Sequence, residues 1–319
     1  MLPDLKKEVA NTPEQIVGLV DCIVCHHAPA IAESLTMYID LEGVNLCREG
    51  SVSIVTLLID TGTTTRRVYL IDVHTLGERA FNSAGAKGKT LKDILQDETI
   101  RKVFFDVRNG SDALFAHFGV ALQGIEDVQL MESATRKTTT SRRLLNGLAR
   151  CVEENVLMSS GRSELASWKL AKDKGARLFQ KEHGGSYEVF NQRPIPKDII
   201  SYCVGDVQYL PELRRRFWTQ QTSGWRDLVY EESKSRVAMS QRSNYQPHGP
   251  DRTKAPWSKE QNNALDQWYL VSLHDDLDGL IQSPSDEDND LDDDGWYDDG
   301  PTSCRDIIDT CDWHYYYSD

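Results

Sequence analysis

The sequence predicts a mixed α/β fold with a five-stranded sheet flanked by helices. Three segments rich in β-branched residues, at 36–41, 52–60 and 67–73, follow one another with only short turns between them, which is typical of antiparallel neighbours. Two more short apolar segments, at 103–107 and 128–131, alternate with predicted helices, and this alternation favours right-handed crossovers and parallel pairing. We therefore expect an antiparallel meander followed by parallel strands.

Helices are predicted before and after the strands. Residues Thr12 to Gln15 provide an N-cap, a first-turn proline and a capping-box glutamine, followed by apolar residues at helical spacing as far as about His27. We expect this helix, within residues 1–33, to pack on the core. Further helices are expected near 91–95 and at 112–118, 140–154, 163–183 and 196–209, with Pro211 starting a new turn because its ring does not fit a helix interior.

The composition divides the chain into a domain and three C-terminal parts. Residues 34–221 hold the predicted strands and most of the helices, and form the expected domain. A polar segment at 222–256 is typical of a linker, and 257–281 has the pattern of an amphipathic helix. Residues 282–319 form an acidic tail that we expect to be disordered.

The negative charge is concentrated near the C-terminal end. The whole chain carries a net charge of −14, but residues 275–319 hold 16 acids and one base, so the remainder has a net charge of +1. A strongly acidic body would repel a polyanion, whereas a near-neutral one does not. The composition therefore leaves nucleic-acid binding open.

The sequence also indicates where the protein works. No apolar run approaches the roughly 18 residues of a membrane span, and the N-terminal residues lack the apolar stretch of a signal peptide. The 7 cysteines are odd in number and scattered, which favours free thiols in a reducing compartment. We expect an intracellular protein, cytoplasmic or nuclear, with no membrane partner.

Acidic residues stand at three places where a chemical site could form. Asp40 and Glu42 end the first predicted strand and share a face of it; the alternative is a solvated strand end. Asp112 follows the fourth strand at a predicted helix start, where it could instead be a helix cap. Tyr202 and Asp206 lie four residues apart on a late helix and can converge on one point. Close carboxylates repel each other unless a cation lies between them.

In this order, the acids resemble the tyrosine subgroup of the DEDD superfamily of 3′-to-5′ exonucleases, which includes ribonuclease D-like proteins. The resemblance spans roughly residues 34–217, and the strings at 38–44, 106–114 and 184–194 are similar to those of eukaryotic 3′-5′ exonuclease domain proteins. It implies a ribonuclease H-like fold and metal-dependent hydrolysis of phosphodiester bonds at the 3′ ends of single-stranded RNA or DNA. The cofactors it implies are two ions of Mg²⁺ or Mn²⁺, which carboxylates bind well.

The resemblance also implies a role for each acid. Asp40 would bridge the two ions, Glu42 and Asp206 would bind the ion on the side of the attacking water, and Asp112 would bind the ion on the side of the leaving group. Tyr202 would orient the attacking water. Many relatives have a histidine where Phe105 precedes Asp106, so Asp106 is the alternative to Asp112. We expect Asp112, because the acid of the family opens the helix rather than closing the strand.

A 3′ end also needs a surface that grips it. Three basic residues of the predicted helix at 163–183 lie on one face, which is either a track for phosphates or an ordinary solvated face. The basic pair Arg142 and Arg143 lies in the preceding predicted helix, at 140–154. Leu41 and Tyr187 are candidates to contact the terminal base or sugar. The predicted nucleic-acid-binding residues are Leu41, Arg142, Arg143, Lys174, Arg177, Lys181 and Tyr187.

Two other functions stay open as alternatives. A catalytically silent derivative of a nuclease could keep the fold and act as a nucleic-acid-binding module or scaffold. Such derivatives usually lose an acid, and the retention of all four acids and the tyrosine favours the enzyme. The acidic tail could also bind a protein partner, a hypothesis motivated by its charge and aromatic residues.

Overall fold

A mixed sheet of six strands forms the centre of the structure, a computed structural model that describes residues 4–27, 35–61, 65–157, 162–218 and 223–269. The strands are β1 (Asp4–Ala10), β2 (Thr36–Glu42), β3 (Ile54–Asp60), β4 (Thr65–Asp72), β5 (Arg101–Phe104) and β6 (Ile125–Asp127). Their order across the sheet is β1-β4-β3-β2-β5-β6. The antiparallel meander of β2, β3 and β4 and the parallel pairing of β5 with β2 and β6 are as expected.

The sixth strand, β1, corrects the expectation of five. It pairs in parallel with β4 from Asp4 opposite Thr65 to Ala10 opposite Ile71. No apolar run marks it, since three successive charged residues occupy its middle. Strand formation here depends on the neighbouring strand and on packing of Leu5 against the core more than on intrinsic propensity.

The last strand lies slightly earlier than expected. The predicted strand at 128–131 is wrong, because these residues begin a helix and β6 precedes them. Asp127 ends the strand and caps the helix, its carboxylate accepting a hydrogen bond from the backbone N–H of Gln129 at 3.0 Å. Short buried apolar runs have no period that separates a strand from a helix.

Helices pack against both faces of the sheet. The first has the expected capping box, in which Thr12 and Gln15 exchange hydrogen bonds between side chain and backbone. The helices are α1 (Pro13–His26), α2 (Val73–Leu76), α3 (Arg79–Asn82), α4 (Leu91–Leu95), α5 (Arg108–Phe118), α6 (Val128–Thr135), α7 (Thr139–Arg142), α8 (Leu148–Val152), α9 (Arg162–Phe179), α10 (Lys197–Val207), α11 (Leu210–Trp218) and α12 (Ser223–Ser240). Shorter helical segments are a π-helix at Glu153–Leu157, 3₁₀ turns at Lys181–His183, Tyr187–Asn191 and Pro250–Thr253, and a helix at 259–269.

Two of the predicted helices are shorter than expected. The single helix predicted at 140–154 is divided into α7 and α8, because the intervening backbone pairs with a later part of the chain: Leu145 N–H donates to the carbonyl of Thr253 at 2.8 Å. The helix predicted at 163–183 ends at Phe179. Pro211 lies in the first turn of α11, as expected.

The polar linker predicted at 222–256 is wrong over most of its length. Residues Ser223–Ser240 form α12, whose Trp225, Val229 and Val237 are buried. Its charged residues are also used internally, since Arg236 is buried and pairs with Asp127 at 2.7 Å. Of the helix predicted at 257–281, residues 259–269 are helical and the rest lie outside the described residues, as does the acidic tail.

Two hydrophobic layers cover the two faces of the sheet. One contains Ile39 and Leu41 of β2 together with residues of α1, α4 and α5. The other contains Tyr38 together with residues of α6, α9, α10 and α11. None of the described helices combines the length and the apolar character needed to cross a membrane.

Candidate active site

Two carboxylates enter the site from the end of β2. Because side chains alternate along a strand, Asp40 and Glu42 follow Tyr38 toward the layer that contains α9 and α10. Pairing between β2 and β5 ends at Tyr38, so the sheet opens beside Asp40 and a cleft forms there. Glu42 is only 6% exposed.

Helix α10 brings a third carboxylate and a tyrosine to the same point. Tyr202 and Asp206 are one helical turn apart and both are buried. One oxygen from each of Asp40, Glu42 and Asp206 lies within 4.8 Å of the other two. We call these three residues the carboxylate cluster. The structure thus brings together three of the four acids that the sequence singles out, with the tyrosine beside them.

Burial and mutual repulsion disfavour ionisation in the cluster. Burial, followed by the charge of Asp206, raises the pKa of Asp40 to about 8, and burial with the charges of Asp40 and Asp206 raises the pKa of Glu42 well above its usual range. Burial and the three carboxylates also raise the pKa of Tyr202. The raised pKa favours the protonated form of the phenol.

Lys172 of α9 is the cation that approaches the cluster. Its Nζ lies 2.5 Å from Oδ1 of Asp206 and 3.2 Å from the ring centroid of Tyr202. The side chain is 13% exposed. The other oxygen of Asp206, Oδ2, is buried and has no hydrogen-bond partner within the described parts of the chain. Sequence reasoning missed Lys172, although its spacing from buried Trp168 and Ala176 places it on the apolar stripe of its helix.

Two glycines allow α9 and α10 to approach closely enough for this contact. A Cβ at Gly175 would lie 2.4 Å from Cβ of Tyr202, and a Cβ at Gly205 would lie 3.2 Å from Cδ of Lys172. Trp168 of α9 also donates a hydrogen bond to the carbonyl of Gly205 at 3.3 Å. The close helix contact fixes the positions of Tyr202 and Lys172 relative to each other.

The expectation that Asp112 joins the cluster is wrong. Asp112 is 1% exposed and forms an ion pair with Arg48 at 2.7 Å, and its second oxygen accepts the backbone N–H of Arg48 at 2.8 Å. Helix α5 begins at Arg108, about one turn before the predicted start. Asp112 therefore lies in the second turn of α5, where it holds the loop around Arg48.

Gly110 and its neighbour Asn109 are the residues of α5 that line the cleft. Gly110 lines it with Asp40 and Leu41, and a Cβ on Gly110 would lie 3.1 Å from Cδ1 of Leu41. Residues two apart on a helix point about 200° away from each other, which explains why Asp112 faces the other way. No acid on α5 reaches the cluster among the residues that the structure describes.

Asp106, the alternative to Asp112, lines the cleft but is committed to arginines. Its carboxylate accepts two hydrogen bonds of 2.6 Å from Arg108 and lies 3.3 Å from Arg252 and 3.8 Å from Arg236. Although burial alone would raise the pKa of Asp106, the charges of these arginines hold it well below its usual range. Its φ of 58° places the backbone in the left-handed region, where its N–H donates to Oδ1 of Asp127 at 3.0 Å.

The predicted nucleic-acid-binding residues differ in what they can reach. The prediction that Arg142 binds nucleic acid is wrong, because Arg142 is 1% exposed and its guanidinium binds Asp266 and Asn262. Arg143, Lys174 and Lys181 are exposed. Arg177 is also exposed, although it pairs with Asp173 at 3.0 Å on the same helix.

Leu41 and Tyr187 are related to the site in different ways. Leu41 lines the cleft. Tyr187 is half-buried and stacks on Phe179 with ring centroids 5.4 Å apart, and Phe179 in turn meets the ring of Tyr202 edge-on at 5.2 Å. An aromatic row therefore leads from the cluster to the surface.

The carboxylate cluster has the chemistry of a divalent metal site. Carboxylate oxygens are the ligands that Mg²⁺ and Mn²⁺ prefer, and a cation relieves the repulsion among three neighbouring acids. The buried, unpartnered Oδ2 of Asp206 is an acceptor that the described residues leave unsatisfied. Asp40, Glu42 and Asp206 therefore fit a divalent cation.

Comparison with known proteins identifies similar sequences. The chain is 28% identical over 222 residues to the mouse piRNA biogenesis protein EXD1, a match that covers 67% of this chain and 35% of that protein. The human EXD1 is 28% identical over 188 residues, covering 59% of this chain and 33% of that one. The matched part of this chain thus spans about a third of the length of these relatives.

Solved structures share the fold. Ribonuclease D of Trypanosoma brucei, in complex with GMP, has a TM-score of 0.60 at 18% identity and matches 82% of this chain and 72% of its own. The same enzyme with the RNA U12 has a TM-score of 0.58 at 19% identity, over 82% of this chain and 79% of that one. A family model described as 3′-5′ exonuclease matches residues 30–222, more than half of the chain. The chain therefore belongs to the 3′-5′ exonuclease family of the DEDD superfamily.

Proposed function

We propose that the domain binds the 3′ end of a single-stranded nucleic acid and hydrolyses its terminal phosphodiester bond with the help of Mg²⁺ or Mn²⁺. The observation that carries this proposal is the convergence of Asp40, Glu42 and Asp206 within 4.8 Å beside Tyr202. Family membership supports nuclease chemistry, and the position of Tyr202 in the cleft beside Asp40 and Asp206 supports the proposal that the chain is of the tyrosine subgroup.

Each residue of the site has a distinct task in this proposal. Asp40, Glu42 and Asp206 would hold the cation, which would supply Lewis-acid activation of a water and neutralisation of phosphate charge. Tyr202 stays protonated and orients the attacking water by donating a hydrogen bond. The two-ion arrangement implied by the resemblance lacks its fourth ligand, since Asp112 is bound to Arg48.

The 3′ end would be gripped from two sides of the cleft. Leu41 would pack against the terminal sugar or base, and Tyr187 would stack with a base along the aromatic row. The exposed Arg143, Lys174, Arg177 and Lys181 supply positive charge for the phosphates. RNA is the first substrate to test, because relatives are named for piRNA biogenesis and a structural neighbour is in complex with RNA.

The experiment is a degradation assay with the full chain. A 5′-labelled single-stranded RNA or DNA is incubated with Mg²⁺, Mn²⁺ or EDTA, using wild type, Asp40→Asn and, as matched control, Asp173→Asn on the exposed side of α9. We expect shortening from the 3′ end that needs metal, is lost in Asp40→Asn and is kept in Asp173→Asn. Shortening that persists in Asp40→Asn or in EDTA would refute the assignment.

A second candidate, a silent nucleic-acid-binding module, is favoured by one observation. The acid whose retention supported the enzyme, Asp112, is committed to Arg48, so the site has three carboxylates instead of four. In the same assay, this candidate predicts an oligonucleotide that is bound by the wild type but not shortened with either metal.

Two further proposals concern the rest of the chain and its location. The acidic residues 282–319 bind a protein partner, and the protein is intracellular, either cytoplasmic or nuclear.

A further inference from the structure

We propose that the site binds one divalent cation, not two, and that the ammonium group of Lys172 supplies the second positive charge. This inference rests on the proposed function in assuming that the carboxylate cluster is a metal site. It concerns the number of bound ions and the role of Lys172, and it does not require that the protein hydrolyses nucleic acid.

The contacts of Lys172 tie it to the cluster on two sides. Its Nζ is 2.5 Å from Oδ1 of Asp206 and 3.2 Å from the ring centroid of Tyr202. Its aliphatic stem runs over Gly205, where a Cβ would approach Cδ at 3.2 Å. By contrast, Lys169 on the same helix is 48% exposed and pairs with Glu153 at 3.0 Å. Packing therefore holds Lys172 against the cluster, whereas Lys169 lies at the surface.

The count of charges favours a single ion. The three carboxylates carry three negative charges when ionised, and Lys172 carries one positive charge, so one divalent cation brings the site to neutrality. A second divalent cation would leave an excess of two positive charges in a largely buried cleft, and uncompensated charge there is costly. Substrate phosphate would offset part of that excess only after binding.

The ligands for a second ion are also missing in the described part of the chain. Asp112 is bound to Arg48, and Asp106 is bound to Arg108 and Arg252. The residues of α5 that line the cleft are Gly110 and Asn109, and Oδ1 of Asn109 accepts a hydrogen bond from Tyr245 at 2.9 Å. Of the two oxygens of Asp206, Oδ1 is taken by Lys172 and Oδ2 is unpartnered. One oxygen of Asp206 is thus left for a cation.

The test is calorimetric titration of the full chain with Mn²⁺ alone, without nucleic acid. We expect one Mn²⁺ per chain in the wild type. Lys172→Met removes the charge and keeps most of the stem, so it should bind the first Mn²⁺ at least about tenfold more tightly, because the competing cation is gone. Lys172→Arg, which keeps the charge, and the control Lys169→Met should stay within about threefold of wild type.

Two results would overturn the proposal. One is the binding of two Mn²⁺ to the wild type, and the other is a Lys172→Met affinity no tighter than that of Lys169→Met. If thermal melting shows that Lys172→Met does not fold, Lys172→Gln takes its place, and the wild-type stoichiometry still decides the number of ions. A chain that binds one Mn²⁺ but does not shorten an oligonucleotide would refute the proposed hydrolysis and leave this inference intact.

Discussion

Asp40 and Asp112 have the same side chain and opposite electrostatic surroundings. Asp40 has two carboxylate neighbours, and burial together with the charge of Asp206 raises its pKa to about 8. Asp112 accepts hydrogen bonds from both the backbone and the side chain of Arg48. The first arrangement costs stability and creates a cation site, whereas the second stabilises the fold.

Substituting these two aspartates should therefore separate metal binding from stability. Asp40→Asn is expected to lower Mn²⁺ affinity at least about tenfold while leaving the free energy of unfolding unchanged or higher, since repulsion is relieved. Asp112→Asn should leave Mn²⁺ affinity unchanged and lower the free energy of unfolding by about 3 kcal/mol, because the charge of Arg48 loses the carboxylate with which it pairs. Urea unfolding and calorimetry measure the two effects. Loss of Mn²⁺ binding in a folded Asp112→Asn chain would show that Asp112 is a ligand after all.

Gly110 offers a way to add the missing acid. A side chain there would meet only the flexible end of Leu41, at 3.1 Å, so Gly110→Asp should fold and place a carboxylate in the cleft. We expect it to bind a second Mn²⁺, and to shorten oligonucleotides faster than wild type if hydrolysis is limited by the lack of a second ion. Gly110→Ala is the matched control, with one Mn²⁺ per chain. A stoichiometry of one in Gly110→Asp would mean that α5 does not face the cluster closely enough.

Lys102 gives the protein a pH-dependent stability away from the site. Its side chain is fully buried and Nζ donates to the carbonyls of Ile94 and Asp97, and burial lowers its pKa to about 7. Between pH 7 and the ordinary lysine pKa of about 10.4, Lys102 carries a proton in the unfolded chain and has lost it in the folded chain. Stability due to this group therefore rises with pH across that window, by at most about 1.4 kcal/mol per unit, and is constant below it.

The comparison with Lys102→Met isolates this effect. The free energy of unfolding of wild type minus that of Lys102→Met is expected to increase from pH 7 to pH 9, as measured by urea unfolding at each pH. A difference that is constant or falls with pH would show that Lys102 stays protonated in the folded chain above pH 7.

At the scale of elements, the contact between α9 and α10 controls the geometry of the site. The two helices meet where Gly175 of α9 faces Tyr202 and where Gly205 of α10 faces Lys172. A larger residue at Gly175 would collide with Cβ of Tyr202, which is rigidly attached to its helix, so α10 itself would have to move. The positions of Tyr202 and Asp206 relative to β2 depend on this close approach.

Gly175→Ala should therefore damage both stability and metal binding. Overpacking of a tight contact costs about 1–3 kcal/mol, and we expect a loss of that size in urea unfolding together with weaker Mn²⁺ binding. The matched control is Gly18→Ala in α1, where nothing lies within 4 Å of the new Cβ and where alanine favours the helix by up to about 1 kcal/mol. Equal stability of the two variants would contradict the close packing of α9 on α10.

At the scale of the whole molecule, residues 223–269 pack against the predicted domain as part of it. Arg236 of α12 pairs with Asp127 between β6 and α6. Arg48, which holds Asp112, also donates to the carbonyls of Ser240 and Arg242 at 2.8 and 2.7 Å. The segment after α12 supplies Arg252 to Asp106. The C-terminal part thus completes the wall of the cleft.

A truncation tests this view of the domain boundary. A chain ending at residue 269 is expected to unfold cooperatively with nearly the stability of the full chain. A chain ending at residue 222 should lose cooperative thermal unfolding, because Asp127 is left buried without Arg236 and the surface covered by Trp225 and Val229 is exposed. Cooperative unfolding of the shorter chain at a similar temperature would restore the view of 222–256 as a linker.

The sequence by itself determined the order of the meander, the capping of α1, the shared strand face of Asp40 and Glu42, and the shared helix face of Tyr202 and Asp206. These features depend on alternation along a strand and spacing along a helix, which are local and can be read from neighbouring residues. Only the tertiary structure decided that β1 joins the sheet and that α12 belongs to the domain, because their stability comes from partners distant in the chain. The direction of Asp112 and the approach of Lys172 were decided in the same way. Gly110, two residues before Asp112 on α5, lines the cleft, so Asp112 points away from it. Two glycines let α9 and α10 approach closely enough for Lys172 to reach Asp206.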